Sequence, residues 1–166
     1  MLVRAALART RLELRQIARF GAEYRNPKRW RLQYMAERRL ELSNLRWRRT
    51  VPGSIWGVAM VRDEEDVIGL TVQHLLAQGI DHVVVADNRS TDDTPRILAE
   101  LAHRDARVHL ATDSEPAYYQ AEKMSALARR AWAAGADWVV PFDADEFWFA
   151  RGESVGDFLR LSLIHI

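Results

Sequence analysis

The feature that most constrains this chain is an alternation of hydrophobic period. Apolar runs too short for helices take turns with segments whose apolar residues recur every three or four positions. "SIWGVAMV" (residues 54–61) reads as a strand, and "EEDVIGLTVQHLLAQG" follows it with Val67, Leu70, Val72, Leu75 and Leu76 at helical spacing and Gly79 as a natural stop. "HVVVAD" (residues 82–87) is a second strand whose three valines predict burial on both faces. "STDDTPRILAELAHR" is the next helix: Asp93 or Thr94 can cap it, Pro95 suits its first turn, and Ile97, Leu98 and Leu101 form its stripe. "RVHLAT" is a third strand, "YYQAEKMSALARRAWAAGAD" a third helix ending at Gly135, and "WVVPF" a fourth strand. Parallel neighbours need a crossover helix, and both faces of such a sheet must be covered. The order β-α-β-α-β-α-β therefore predicts an α/β domain with a mostly parallel sheet and helices on both faces.

Ligands of such sheets gather at the carboxyl ends of the strands. The acidic residues are placed accordingly: the first strand runs into "RDEED", the second into "DNRSTDDT" and the fourth into "DADE". Asp143 and Asp145 are one residue apart, so in extended chain both side chains project to the same side. Carboxylates this close repel unless a positive charge sits between them. Hard oxygen ligands suit Mg2+ or Mn2+, and an ion with few protein ligands completes its shell with water and phosphate. The expectation is a metal that carries a diphosphate. The chain has no cysteine, which excludes thiolate metal sites and disulfides.

The net charge of +1 hides an asymmetry. Residues 1–52 hold 14 Lys and Arg against 4 Glu, whereas residues 53–166 hold 10 against 19 Asp and Glu; +10 and −9 sum to +1. Residues 1–52 are expected to be a basic helical extension, with Leu2, Ala6, Ile17, Phe20, Trp30, Tyr34 and Met35 in a loosely helical rhythm, ending at "VPGS". Three readings stay open for it: packing on the body, peripheral contact with an anionic membrane, or a nucleic-acid patch. No nucleic-acid motif accompanies the basic residues, so no nucleic-acid partner is expected. No apolar run approaches the roughly 20 residues of a membrane span, and the start lacks a secretory apolar region. A cytoplasmic protein is the default expectation.

"VAMVRDEEDVIGLTVQHLLAQGIDHVVVADNRSTDDT", followed at a distance by "WVVPFDADEFW", resembles the family 2 glycosyltransferases of the GT-A fold, closest to a branch whose acidic motif reads D-x-D-E-F. The resemblance covers residues 54–157. It implies a nucleotide-diphosphate sugar donor, a divalent metal (Mn2+ or Mg2+), an inverting course, and an acceptor (glycan, lipid or protein) that the motifs do not specify. By the same resemblance Asp87 contacts the nucleotide base, Asp145 ligates the metal, and Asp143 faces the ribose or a metal-bound water. Arg62, Asp63 and Glu64 line the base pocket, with Asn88 beside them. Asp93 stands where the family usually has Gly, and "VRDEED" where it commonly has P-x-Y-N-E-E.

Plainer readings stand beside these. Asp87 and Asn88 are also turn formers; Asp92 and Asp93 read as helix-start residues. Lys123 is either a donor-phosphate contact or a solvated helix lysine. The histidines 74, 82, 103 and 109 have no metal spacing, Trp148 and Phe149 read as core, and Glu146 either orients a metal-bound water or caps the strand end. A haloacid-dehalogenase-type phosphatase also places D-x-D after an apolar strand, though early in the chain; a calcium loop fails because Phe147 and Trp148 stand where it needs a polar residue and Gly. A nucleotide-binding piece without turnover is the remaining alternative. "LSLIHI" (residues 161–166) resembles the translation of a sequencing adapter, so it is expected to be a non-native tail, with residues 53–160 forming the donor-binding half of a truncated domain and the general base lying in the missing part.

Overall fold

A computed structural model describes residues 27–42, 45, 51–116 and 119–164. The chain divides into two units, residues 1–35 and 36–166. Of the first, residues 27–35 are described and lie in helix α1 (Pro27–Arg39), which continues into the second. The expected arm over residues 1–26 lies outside the described residues. At the other end of that arm the structure differs from the helical expectation. Leu40–Leu42 is a strand, β1, paired antiparallel to residues 111–113 through Leu40↔Asp113 and Leu42↔Ala111. Leu40 is buried in the core of the second unit, and a buried edge position gains more from ladder pairing than from another helical turn.

The second unit carries the alternation the sequence predicts: β2 (Ile55–Val61), α2 (Ile68–Ala77), β3 (His82–Asp87), α3 (Thr94–Arg104), β4 (Val108–Asp113), α4 (Gln120–Ala134), β5 (Trp138–Pro141) and α5 (Val155–Ile164). The sheet order is β1-β4-β3-β2-β5, with β2 to β5 mutually parallel. Strand order reverses at β2: β3 and β4 lie to one side, β5 to the other. Val83, Val84 and Val85 are each 0% exposed, as their run predicts. Alternate residues of β2 feed two cores. Ile55, Ala59 and Val61 pack with α2 and α3, while Trp56, Val58 and Met60 pack with Ala126, Leu127, Ala131 and Ala134 of α4. Gly57 leaves no room for a side chain on β2, since an added Cβ would come within 3.2 Å of the Phe142 ring.

Two sequence expectations are corrected here. Leu70 does not belong to the buried stripe of α2, being 62% exposed. The stripe is Ile68, Thr71, Val72, Leu75 and Leu76, the i, i+3, i+4, i+7, i+8 series, and Leu70 lies about 200° around the helix from Ile68. Neither Asp93 nor Thr94 caps α3 through its own side chain. Asp92 does so, its Oδ1 accepting from the Thr94 N–H at 3.0 Å, and the Thr94 hydroxyl turns to accept from the Glu64 N–H at 2.8 Å. The stop at Gly135 is as expected, with φ 119° at the left-handed cap of α4. Helix α5 runs through Leu161 to Ile164, residues set apart in the sequence as a foreign tail.

Candidate functional site

Because β2 to β5 are parallel, their carboxyl ends share one edge. Val61 is register partner of Asp87 and Asp87 of Thr112, so the residues that follow (Arg62, Asn88 and Asp113) fall side by side. β5 stops short, Pro141 pairing with Val58, and its continuation reaches the same edge as a turn. The acidic clusters read from the sequence therefore converge, at the reversal of strand order, where a parallel sheet opens a crevice.

The loops after β2 and β3 are fastened to each other. The Asp63 N–H donates to the Ser90 hydroxyl at 2.9 Å, and the Thr91 N–H donates to Asp63 Oδ1 at 2.6 Å. The Glu65 N–H donates to Asp92 Oδ2 at 3.1 Å, while the Asp93 N–H donates to Glu65 Oε2 at 2.7 Å. Asp63 and Arg89 take positive φ (56° and 62°) to make these reciprocal contacts. Asp93, at φ −76°, needs no glycine. Asp87 is half-buried and receives only long contacts, 3.4 Å, from the Ser90 N–H. Its carboxylate retains acceptor capacity toward a ligand. Asn88 is 0% exposed and fully engaged, so it braces the strand ends and does not present itself to a ligand. Its carbonyl oxygen accepts from Arg62 Nη2 and its amide donates to Asp113 Oδ2 at 2.7 Å and to the Glu115 carbonyl at 2.8 Å.

The acidic motif is not extended. Phe142 is held by an N–H bond of 3.1 Å to the Val58 carbonyl, and then residues 143–146 turn, the Glu146 N–H donating to the Asp143 carbonyl at 3.1 Å. The two aspartates are placed by a tight turn, on either side of the buried Ala144, and not by the alternation of a strand. Ala144 is buried beneath the turn, and the fully buried Thr71 of α2 donates its hydroxyl to the Ala144 carbonyl. Asp143 and Asp145 are exposed. Glu146 Oε2 accepts from the Asp143 N–H and from Trp148 Nε1, both at 3.3 Å, so it caps the turn. A cleft of about 340 Å3 opens beside Asp143, lined also by Gln120, Met124, Phe142 and Glu146.

Electrostatics record the convergence. The pKa of Glu64 is raised by desolvation first, then by the fields of Asp145, Asp66, Asp92 and Asp143. Glu64 follows β2 and the aspartates follow β5, 79 or more residues away in sequence, yet they act on one another. Among the described residues no three His, Asp or Glu side chains are grouped as a ready-made cage. Asp143 and Asp145 are hard oxygen donors that a hard divalent ion accepts, with water and phosphate as its further ligands.

Lys123 takes neither role expected of it. It is 1% exposed, in a salt bridge with the buried Asp113, and its ammonium also donates to the Glu115 carbonyl at 2.9 Å. Burial is tolerated because a carboxylate and a carbonyl satisfy the charge. Asp113 and Thr71 went unnoticed in the sequence. Asp113 ends a strand like Asp87 and that was the available signal; nothing in the pattern of α2 sets Thr71 apart. Phe149, expected in the core, is 76% exposed, whereas Trp148 packs against it. His74 Nε2 donates to the Trp148 carbonyl (2.7 Å) and the ring lies beside Phe147 and Phe149, a structural role as expected.

Compared with known proteins, residues 58–151 match the family described as Glycosyl transferase family 2, more than half of the chain. Among solved structures, a mannosyltransferase of Pyrobaculum calidifontis, PcManGT, in complex with GDP-Man and Mn2+, superposes with TM-score 0.51 at 21% identity over 89% of this chain and 41% of that one. S. aureus TarS gives TM-score 0.49 at 18% identity over 68% and 20%, and TarS 1-349 gives 0.46 at 16% over 57% and 28%. The chain spans less than half the length of these proteins. No curated protein matches it. The likeness to the Pyrobaculum structure identifies the sheet as the GT-A type of α/β fold.

Proposed function

The chain belongs to glycosyl transferase family 2, and from that premise we propose that it carries the donor site of an enzyme that moves a sugar from a nucleotide diphosphate to an acceptor. The observation that carries this reading is that the acidic turn after β5 and the strand end at Asp87 lie at one carboxyl edge of a parallel sheet, on either side of β2 where the strand order reverses. The Pyrobaculum relative in complex with GDP-Man and Mn2+ supports a donor of this class.

In this reading Asp87 accepts from the nucleobase, and Arg62 beside it donates. Asp63 and Glu64 act less directly: the Asp63 carboxylate already holds the Thr91 N–H, so it shapes the pocket wall. Asp145 and Asp143 hold Mn2+ or Mg2+, Asp143 being placed also to meet the ribose. When bound, the ion supplies Lewis acidity and neutralises the leaving diphosphate. The buried Asn88 and Thr71, with the exposed Glu146, keep the strand ends and the acidic turn in place, so the ligand groups lose little entropy on binding. Inversion at the anomeric carbon is the proposed course, by a general base that deprotonates the acceptor hydroxyl. The test is calorimetry of GDP and UDP with and without Mn2+. Metal-dependent binding of either supports the reading, and absence of binding for both overturns it.

A further inference from the structure

The least expected group in the molecule is a buried lysine. A helix lysine at 1% exposure has given up its hydration, and the partner that compensates it, Asp113, has a side chain at 0%. The pair does not end there. Asp113 Oδ2 also accepts from Asn88 Nδ2 at 2.7 Å, its Oδ1 accepts from the Glu115 N–H at 3.0 Å, and the Asn88 side-chain carbonyl accepts from Arg62. Arg62 Nε donates to the Asn88 backbone carbonyl at 2.8 Å, and Nη2 reaches the Pro116 carbonyl at 3.3 Å. The result is one connected chain, Lys123–Asp113–Asn88–Arg62, running from α4 past the ends of β4 and β3 to the end of β2. Among the described residues no buried side-chain nitrogen or oxygen lacks a partner, so the chain is complete.

Its direction is fixed by donor and acceptor chemistry. The lysine only donates and the carboxylate only accepts, which obliges the Asn88 amide to turn its NH2 toward Asp113 and its oxygen toward Arg62. With the amide turned the other way, two donors would face each other at Arg62 and two acceptors at Asp113. The Glu115 carbonyl, which also accepts from the Asn88 amide at 2.8 Å, enforces the same orientation; Lys123 anchors the carboxylate at one end of the chain, and Asn88 meets the guanidinium at the other. A buried ion pair is weak grounds for stability, since apolar residues of like volume do as well. What this one supplies is an orientation.

We propose that Lys123 is a positioning residue for nucleotide binding: through Asp113 and Asn88 it holds the Arg62 guanidinium at the base side of the donor pocket. This rests on the donor-site reading above. Replacing the lysine alone would strand a buried carboxylate, so the informative variant removes both charges and the acceptor that holds the Asn88 amide, Lys123→Met with Asp113→Leu. Dissociation constants for GDP and UDP, each with Mn2+, are compared by calorimetry in the native chain, this pair, Arg62→Ala, and the three changes together; thermal unfolding and circular dichroism report whether each is folded. We expect the folded pair variant to bind about tenfold more weakly, in the range seen when supporting partners of ligating groups are removed. We expect no further loss when the pair is added to Arg62→Ala, because the relay then has nothing to position. Native affinity in a folded pair variant overturns the proposal, as do losses that multiply independently of Arg62. Should the pair variant fail to fold, Asn88→Leu, close to isosteric, removes the link between Asp113 and Arg62 and is read by the same cycle. Absence of nucleotide binding in the native chain is a different outcome: it overturns the donor-site reading and this inference with it.

Discussion

Asp145 and Asp105 show what a single carboxylate does in two settings. Asp145 is exposed on a turn whose other contacts do not involve it, so its removal leaves the core intact. Asp145→Asn is expected to abolish Mn2+-dependent nucleotide binding while changing stability by no more than about 0.5 kcal/mol, the range for surface substitutions. Calorimetry and a melting curve check the two halves, and Mn2+-dependent binding at native strength would remove Asp145 from the metal site. Asp105 follows α3, where hydrogen bonds from the Arg107 side chain and N–H hold its carboxyl down to about 2. A depressed carboxylate adds stability above its unfolded value of 3.8 and loses it as pH falls toward 2. The pair is partly exposed and screened, so its contribution is at most about 1 kcal/mol. Asp105→Asn should therefore lower the melting temperature slightly at neutral pH, with the difference from the native chain vanishing between pH 3.8 and about 2. A difference that grows on acidification would contradict this.

Among the elements, α2 exerts most control over the acidic turn. Its buried stripe anchors the helix on the sheet, and Thr71 on that stripe reaches across to the Ala144 carbonyl. Leu75→Ala, at 1% exposure, should cost about 2–5 kcal/mol, whereas Leu70→Ala, at 62%, should fall within about 0.5 kcal/mol. Denaturant titration of both variants separates them, and equal costs would mean that the stripe is misassigned. Thr71→Val keeps the shape but leaves the Ala144 carbonyl without its donor, a loss of about 1–3 kcal/mol. Weaker Mn2+-dependent nucleotide binding should accompany it, because the turn that presents Asp143 and Asp145 is loosened. The Cys-free, hard-donor chemistry of the turn was legible in "DADE", but its geometry was not. The spacing of the two aspartates is the same in a strand and in a turn, and only the early end of β5 at Pro141 decides between them.

For the whole molecule, linkage gives the most direct check. A ligand that binds only the folded chain at 100 times its dissociation constant adds about 2.7 kcal/mol. For a chain of 166 residues that corresponds to roughly a 5–10 °C rise in melting temperature. GDP or UDP with Mn2+ should produce such a rise, and a chelator should cancel it; a shift that survives chelation would mean nucleotide binding without the metal. Among the described residues no helix is long and apolar enough to cross a membrane.

The α/β class, the parallel strands, their number in the body and the edge at which the acidic residues collect were all determined by the sequence alone. Period-2 and period-3.6 apolar patterns are local properties, and parallel connection through helices leaves few ways to assemble them. The buried valines of β3 and the cap at Gly135 follow from the same local rules. Tertiary structure alone decided the state of the polar residues. Lys123 reads as an ordinary helix lysine until Asp113, from a different strand, is found against it, and Asn88 reads as a turn former until Arg62 and Asp113 enclose it. Likewise β1 is a strand because Leu40 meets Asp113 across the sheet edge, not because three residues prefer to extend. Burial and charge pairing depend on which distant residues arrive at the same place, and neighbours in sequence carry no record of that.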